Sequence, residues 1–231
     1  MNRVILSAST DETILAVTRQ HKLVDLEIEQ QINTEIVGCI YKGVVKNIVP
    51  AVDGIFVDIG IGKNAFLRRK DLLNEKRFPT EGSPILAQVI KSDTDMKGAL
   101  ITEKISMFGK YAVTLSGTGY IGVSKKIRQE SVRKRLKEIG KEICAEHMGL
   151  IIRTAAENAD MDEFRKDITR LKENWDIIQK RFRMEKSPTL LYRESDIIVK
   201  ALRDYVNKGT EILITDNRKI YERICKLNES E

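Results

Sequence analysis

The sequence is short of the residues from which many reaction centres are built. Its two histidines, His21 and His147, stand in unrelated contexts, which argues against a histidine-based hydrolase. Its three cysteines, Cys39, Cys144 and Cys225, are odd in number, far apart and without metal-ligand spacing, so neither a disulfide framework nor a cysteine metal site is expected. Such isolated thiols fit a reducing cytoplasm. No apolar run approaches the roughly 18 residues needed to span a bilayer. The opening stretch MNRVILSASTDETILAV has no sustained apolar core followed by a small-residue cleavage site, so a secretory leader is not expected either. The carboxylates Asp93 and Asp95, Asp160 and Asp162, and Asp216 each have a plain loop or helix-cap reading, and no pair is set up to chelate a metal. No catalytic and no metal-ligating residue is therefore assigned.

What is present is a charged, foldable chain. With 231 residues, 42% hydrophobic and 32% charged, it has room for two or three packed modules. The net charge is +6, and the positive residues are concentrated: KKIRQESVRKRLKEIGK over 125–141 is strongly basic, with Lys63, Arg68, Arg69 and Lys70 as a second cluster. Such clusters suit a phosphate backbone, or equally a solvated helix face.

Three regimes follow one another. Extended segments at 3–8, 12–18 and 22–28, with Ser9, Thr10 and Asp11 as turn residues, predict an antiparallel start to a sheet. From about Ile36 to Thr102 the chain is strand-rich and punctuated by glycines, as in a small coiled barrel. From about Ile105 strands mix with helices. The clearest helix has Phe164, Ile168, Leu171, Trp175, Ile178 and Phe182 on one face, with Asp160 and Glu163 as a capping-box-like start. An earlier one carries Val132, Leu136, Ile139 and Ile143 opposite its basic residues. Ser195 is expected to cap a third helix that Gly209 ends, and Asp216 a last one bearing Ile220, Ile224 and Leu227.

Two places suggest chemistry. In GIFVDIG, alternation sends Ile55, Val57 and Ile59 to one face and Phe56 and Asp58 to the other. A phenylalanine on the outer wall beside Lys42, Lys46 and Lys63 suits base stacking with phosphate-tracking lysines, or packing under a neighbouring module. In GLIIRTAAENA an apolar strand places Arg153 and Thr154 at its tip. By spacing alone these read as a strand-end ion pair and a cap.

The run IYKGVVKNIVPAVDGIFVDIGIGKNAFLRRKDL resembles the S1-type OB-fold as it occurs inside ribonucleases of the E and G family. DLEIE, QVIKSDTDMKGALIT, GVSKKI, GLIIRTAAE, LYRESDIIVKALRDY and EILITD extend the resemblance in the family's order over almost the whole chain. The fold it implies is α+β: a split RNase H-like domain (about 1–34 and 199–231), an inserted S1-type OB barrel (35–104) and a 5′-sensor module (105–198). It also implies roles for residues. Phe56 and Phe66 match RNA-stacking aromatics, Lys97 a backbone-contacting lysine and Lys91 a weaker companion. Arg153 and Thr154 match the pair that holds a terminal 5′ monophosphate, and Gly109 and Val113 the positions beside it. Lys125 stands where the family often has arginine, which keeps the charge and loses the planar fork of donors.

The family's Mg²⁺-binding aspartates and its subunit-joining zinc-link motif lie beyond the stretches matched here. The resemblance thus implies single-stranded RNA with a 5′ monophosphate as partner, no membrane, no cofactor in this chain, Mg²⁺ in the full-length enzyme and homo-oligomers in its full-length form. Two readings remain: the RNA-binding and end-sensing portion of an endoribonuclease, or a stand-alone RNA-binding or regulatory protein of the same fold. A third is an OB-fold protein that binds nucleic acid without sensing its end.

Overall fold

The computed structural model describes residues 2–30, 36–76, 78–93, 97–144, 148–193, 196–206, 210 and 212–229. Ser195, Gly209, Asp95 and His147, named above, lie outside the described residues. The chain divides into two units, 1–35 with 195–231, and 36–194.

The first unit begins as the alternation predicts. β1 (Asn2–Ala8), β2 (Glu12–Arg19) and β3 (Lys22–Gln30) form an antiparallel meander. Val4, Leu6, Leu15 and Val17 point to one buried face because side chains alternate along a strand.

The second unit holds two sheets. β4 (Ile40–Val49), β5 (Gly54–Asp58), β6 (Ala65–Arg68), β7 (Pro84–Lys91) and β8 (Leu100–Thr102) close into a five-stranded barrel through the β4–β7 pairing. Its interior is filled by alternate residues, among them Val45, Ile55, Val57, Leu67, Ala87 and Ile101. β9 (Ser106–Phe108), β10 (Ala112–Ser116), β11 (Ile121–Val123) and β12 (Met148–Ile152) make a four-stranded sheet in the order β11, β12, β10, β9. Two helices pack with it, α1 (Glu130–Ile143) through Leu136 and Ile139, and α2 (Met161–Met184) through Phe164, Ile168, Leu171 and Ile178. Both predicted apolar faces are therefore the packed ones. β13 (Thr189–Tyr192) returns to pair with β4 and extends the barrel sheet.

The barrel and the second sheet are stitched by buried Gln88. Its amide donates to the carbonyls of Gly38 (2.9 Å) and Ser106 (2.8 Å) and accepts from the Ser106 N–H (2.9 Å). Two of these bonds fix β9 to β7 and the third holds the chain just before β4, since breaking them would strand polar groups away from water.

The first unit is completed late in the chain. α3 (Ile197–Tyr205) and α4 (Arg218–Glu229) cover the buried face of its sheet with Ile197, Ile198, Ala201 and Ile220. β14 (Ile212–Thr215) adds parallel to β1. Two caps differ from expectation. Asp196 caps α3, accepting from the N–H groups of Ile198 and Val199, where Ser195 was expected. Asn217 caps α4, accepting from Lys219 and Ile220. Asp216 is already engaged by the Ser7 hydroxyl (2.5 Å) and the Ala8 N–H (3.1 Å), which tie β1 to the end of β14 and hold its carboxyl below the usual carboxylate range. No helix among the described residues is long and apolar enough to cross a membrane.

Candidate nucleic-acid interface

The barrel's outer wall carries a row of residues set by strand register. Asn47 on β4 pairs with Phe56 on β5, Phe56 with Phe66 on β6, Phe66 with Leu100 on β8, and Leu100 with Lys91 on β7. Because Ile55, Val57, Ala65 and Leu67 face the core, Phe56 and Phe66 face outward. Both are half-buried, with ring centroids 5.4 Å apart and planes tilted by 50°. Phe66 also has a packing role: its ring lies over Gly54, where an added Cβ would come within 2.3 Å of two ring atoms. Lys91 and Lys97 are exposed, and Gly98 beside Lys97 sits against the Asn64 carbonyl at the start of β6. The aromatic pair thus lies on the barrel wall between Asn47 and Lys91 in the register.

Two expectations for nearby cations change. Lys42 is buried; its ammonium donates to the Glu185 carbonyl (2.6 Å) and lies 5.0 Å from the centre of the Phe182 ring. It fastens β4 to the end of α2 and does not line the barrel's solvent face. Of the second basic cluster, Arg68 pairs with Asp71 (2.5 Å), and Arg69 pairs with Asp53 while stacking on Phe78 at 3.8 Å. Lys46 stays exposed and pairs with Asp58 (3.3 Å).

The second constellation gathers at the end of β12. The Arg153 N–H donates to the Tyr111 carbonyl (2.8 Å), and its guanidinium Nη1 donates to the Gly109 carbonyl (2.8 Å). Thr154 opens a 3₁₀ turn (Thr154–Asn158) without capping it, and its hydroxyl lies 3.0 Å from that of Ser124. Lys125, next to Ser124, is exposed. Val113 pairs with Ile151 and Phe108 in the middle of the sheet, half-buried, on the strand that leaves the Gly109–Tyr111 turn. Arg153, Thr154 and Gly109 therefore converge with Ser124 and Lys125 on one end of the sheet, with Val113 two residues along β10.

Sequence reasoning missed what holds this end in place. Asp167 of α2 is buried, and its carboxylate accepts from the N–H groups of Lys110 (3.1 Å) and Tyr111 (2.8 Å). Gly109 packs on the same carboxylate so closely that a Cβ would lie 2.5 Å from Oδ2. The absence of a side chain at Gly109 thus serves the turn itself. Tyr111 adds a hydroxyl bond to Glu163 (2.5 Å), so Glu163 turns to Tyr111 while Asp160 alone caps α2. Arg133 braces the other side by donating to the carbonyls of Ser124 (2.7 Å) and Ile127 (2.9 Å). One signal could have found Asp167: a carboxylate inside the apolar stripe between Phe164 and Leu171 demands buried partners.

Two of the carboxylates considered above have protein partners. Asp160 directs Oδ1 to two helix N–H groups and Asp216 both oxygens to Ser7 and Ala8. Among the described residues no group of three or more His, Cys, Asp or Glu could hold an ion.

A five-stranded barrel with paired outward aromatics and lysines on its rim is a nucleic-acid-binding class of module, and residues 34–102 match the profile of the S1 RNA binding domain. Residues 106–231 match that of the Ribonuclease E/G family. The chain is 32% identical to Ribonuclease G of Escherichia coli (strain K12) over 240 aligned residues, covering 96% of this chain and 49% of the relative. It is 31% identical to Ribonuclease G of Haemophilus influenzae (98% and 50% covered) and 31% identical to Ribonuclease E of Buchnera aphidicola subsp. Schizaphis graminum (96% and 25%). The chain belongs to the Ribonuclease E/G family and spans about half the length of the Ribonuclease G relatives it matches.

Proposed function

We propose that this chain is the RNA-binding and 5′-monophosphate-sensing portion of a cytoplasmic, single-strand-specific endoribonuclease of RNA processing and decay. In this reading 35–104 is the S1-type barrel, 105–198 the 5′ sensor, and 1–34 with 199–231 a split RNase H-like domain. Phe56 and Phe66 stack bases, while Lys97 and Lys91 follow the backbone. Arg153, Thr154 and Lys125 take the terminal phosphate beside Gly109 and Val113. Mg²⁺ serves the full-length enzyme, and this chain contributes recognition.

The observation that carries the reading is the Arg153 guanidinium held against the Gly109 carbonyl, with the Thr154 and Ser124 hydroxyls and Lys125 alongside. A guanidinium offers phosphate oxygens a planar fork of donors, and one already oriented loses less freedom on binding. The test is equilibrium binding of one short single-stranded RNA carrying either a 5′ monophosphate or a 5′ hydroxyl. A charge-assisted pair contributes about 1.5–3 kcal/mol, so a preference of roughly tenfold or more for the monophosphate is expected. Equal affinity would remove the sensing claim and leave the barrel claim standing.

A further inference from the structure

The chain's excess of positive charge is carried by one segment. Between Lys125 and Lys141 eight Lys and Arg stand against Glu130 and Glu138, a net +6 that equals the net charge of the whole chain. The remainder of the protein is neutral as a set. The other basic cluster spends its arginines internally, Arg68 on Asp71 and Arg69 on Asp53. In 125–141 the cations are turned outward: Lys134, Arg135, Lys137 and Lys141 on α1 are exposed, as are the three cations of the loop before it. Among the described residues none of those four pairs with a carboxylate. Arg133 is the exception, half-buried and bound to the carbonyls of its own loop.

The geometry narrows what this face can meet. Lys134, Lys137 and Lys141 follow one another at spacings of three and four, so they form one stripe about 10 Å long on the helix. Opposite them, Leu136 and Ile139 are buried in the core, with Val132 and Ile143 packed against it. An amphipathic helix that docks on a bilayer needs that apolar face to insert, and here it is occupied. The loop leading into α1 starts at Ser124, whose hydroxyl lies 3.0 Å from that of Thr154. The basic face therefore continues outward from the edge of the candidate 5′-phosphate site.

We propose that the exposed face of α1 is a further phosphate-backbone site, which takes the backbone of the same RNA strand downstream of its 5′ nucleotide. The proposal rests on the RNA-binding reading above and adds a surface which that reading does not use. Its recognition is electrostatic and independent of sequence, because compact ammonium groups neutralise phosphates and release counterions.

The test compares the full chain with a variant carrying Lys134→Gln, Arg135→Gln, Lys137→Gln and Lys141→Gln. Glutamine keeps helix propensity at exposed positions, and an unchanged thermal midpoint checks the fold. Each protein is titrated over a range of salt with a 5′-monophosphorylated tetranucleotide and with a strand of roughly 20 nucleotides, longer than one barrel accommodates. For the long strand the slope of log K against log salt is expected to shallow by about 2 to 3, since each lost single-strand phosphate contact removes about 0.7. The tetranucleotide should keep its affinity and its preference for a 5′ monophosphate. An unchanged slope for the long strand overturns the proposal. So does loss of binding to vesicles of mixed phosphatidylserine and phosphatidylcholine with RNA binding intact, which would make the face a membrane contact. If the unaltered protein shows no 5′ preference on the tetranucleotide, the sensing reading fails separately, and the slope still decides the role of α1.

Discussion

Replacing Asp167 by alanine should cripple the 5′-end site without touching any group proposed to meet RNA. The carboxylate is 5% exposed and accepts from the N–H groups of Lys110 and Tyr111, with Arg170 at 3.3 Å. A hydrogen bond to a charged group contributes about 1.5–3 kcal/mol, and a buried donor left unpaired costs about 1–3 kcal/mol. Tyr111 is almost wholly buried, so its N–H cannot recover through water, whereas the Lys110 N–H is only partly buried. A net loss of roughly 3 kcal/mol follows, which for a unit of this size lowers the thermal midpoint by roughly 6–12 °C. The functional loss should exceed the structural one. Gly109, whose carbonyl receives the Arg153 guanidinium, loses the group it packs against. Differential scanning calorimetry reads the first effect and the ratio of affinities for 5′-monophosphate and 5′-hydroxyl RNA the second. Asp167→Asn, which keeps the shape and one acceptor, should fall between the two. A midpoint lowered by less than about 2 °C with the preference intact would refute the view that Asp167 organises this site.

Other substitutions probe the barrel and the half-buried Glu103. Phe56→Ala should weaken RNA binding by about 1–3 kcal/mol whatever the 5′ end, measured by fluorescence anisotropy, and an unchanged affinity would remove Phe56 from the stacking surface. Gly54→Ala should lower RNA affinity through Phe66, whose ring a Cβ would meet at 2.3 Å; crystals showing Phe66 unmoved would contradict this. Burial pushes the Glu103 carboxyl up from its ordinary value, against a bond from the Leu73 N–H that acts the other way. A group raised on folding adds stability at low pH that is lost as pH rises through its folded value. Glu103→Gln should therefore flatten the decline of the thermal midpoint just above the ordinary glutamate range, and identical profiles for both proteins would count against it.

Short-period patterns made much of the fold legible. β1 to β3 follow from alternation, and the packed face of α2 from the spacing of Phe164 to Phe182. Local pattern by itself does not give non-local pairing. That Ile212 lies beside Arg3 and β4 beside β7 cannot be read from either stretch alone, and the expectation of a barrel and of a two-part terminal domain rests on the glycine-punctuated strands and the family resemblance. The caps show how distant contacts decide local choices. Asp216 and Asn217 can both cap a helix, and Asn217 does so because Ser7 and Ala8 engage Asp216. Lys42 read as solvent-facing because the β13 strand and the Glu185 carbonyl that receive it lie some 140 residues on. At the candidate site, Arg153 and Thr154 were visible at the strand tip. Asp167 and Ser124, which set the turn and meet the threonine, come from other elements.

The central claim, that the end of β12 reads a 5′ monophosphate, is tested most directly by a thermodynamic cycle. Affinities of the unaltered protein and of Arg153→Ala are measured for RNA with a 5′ monophosphate and with a 5′ hydroxyl. The account predicts that the variant loses roughly tenfold or more for the monophosphate and little for the hydroxyl, a coupling of about 1.4 kcal/mol or more between guanidinium and phosphate. Equal losses for both ends would show that Arg153 supports the fold of the strand tip and senses nothing.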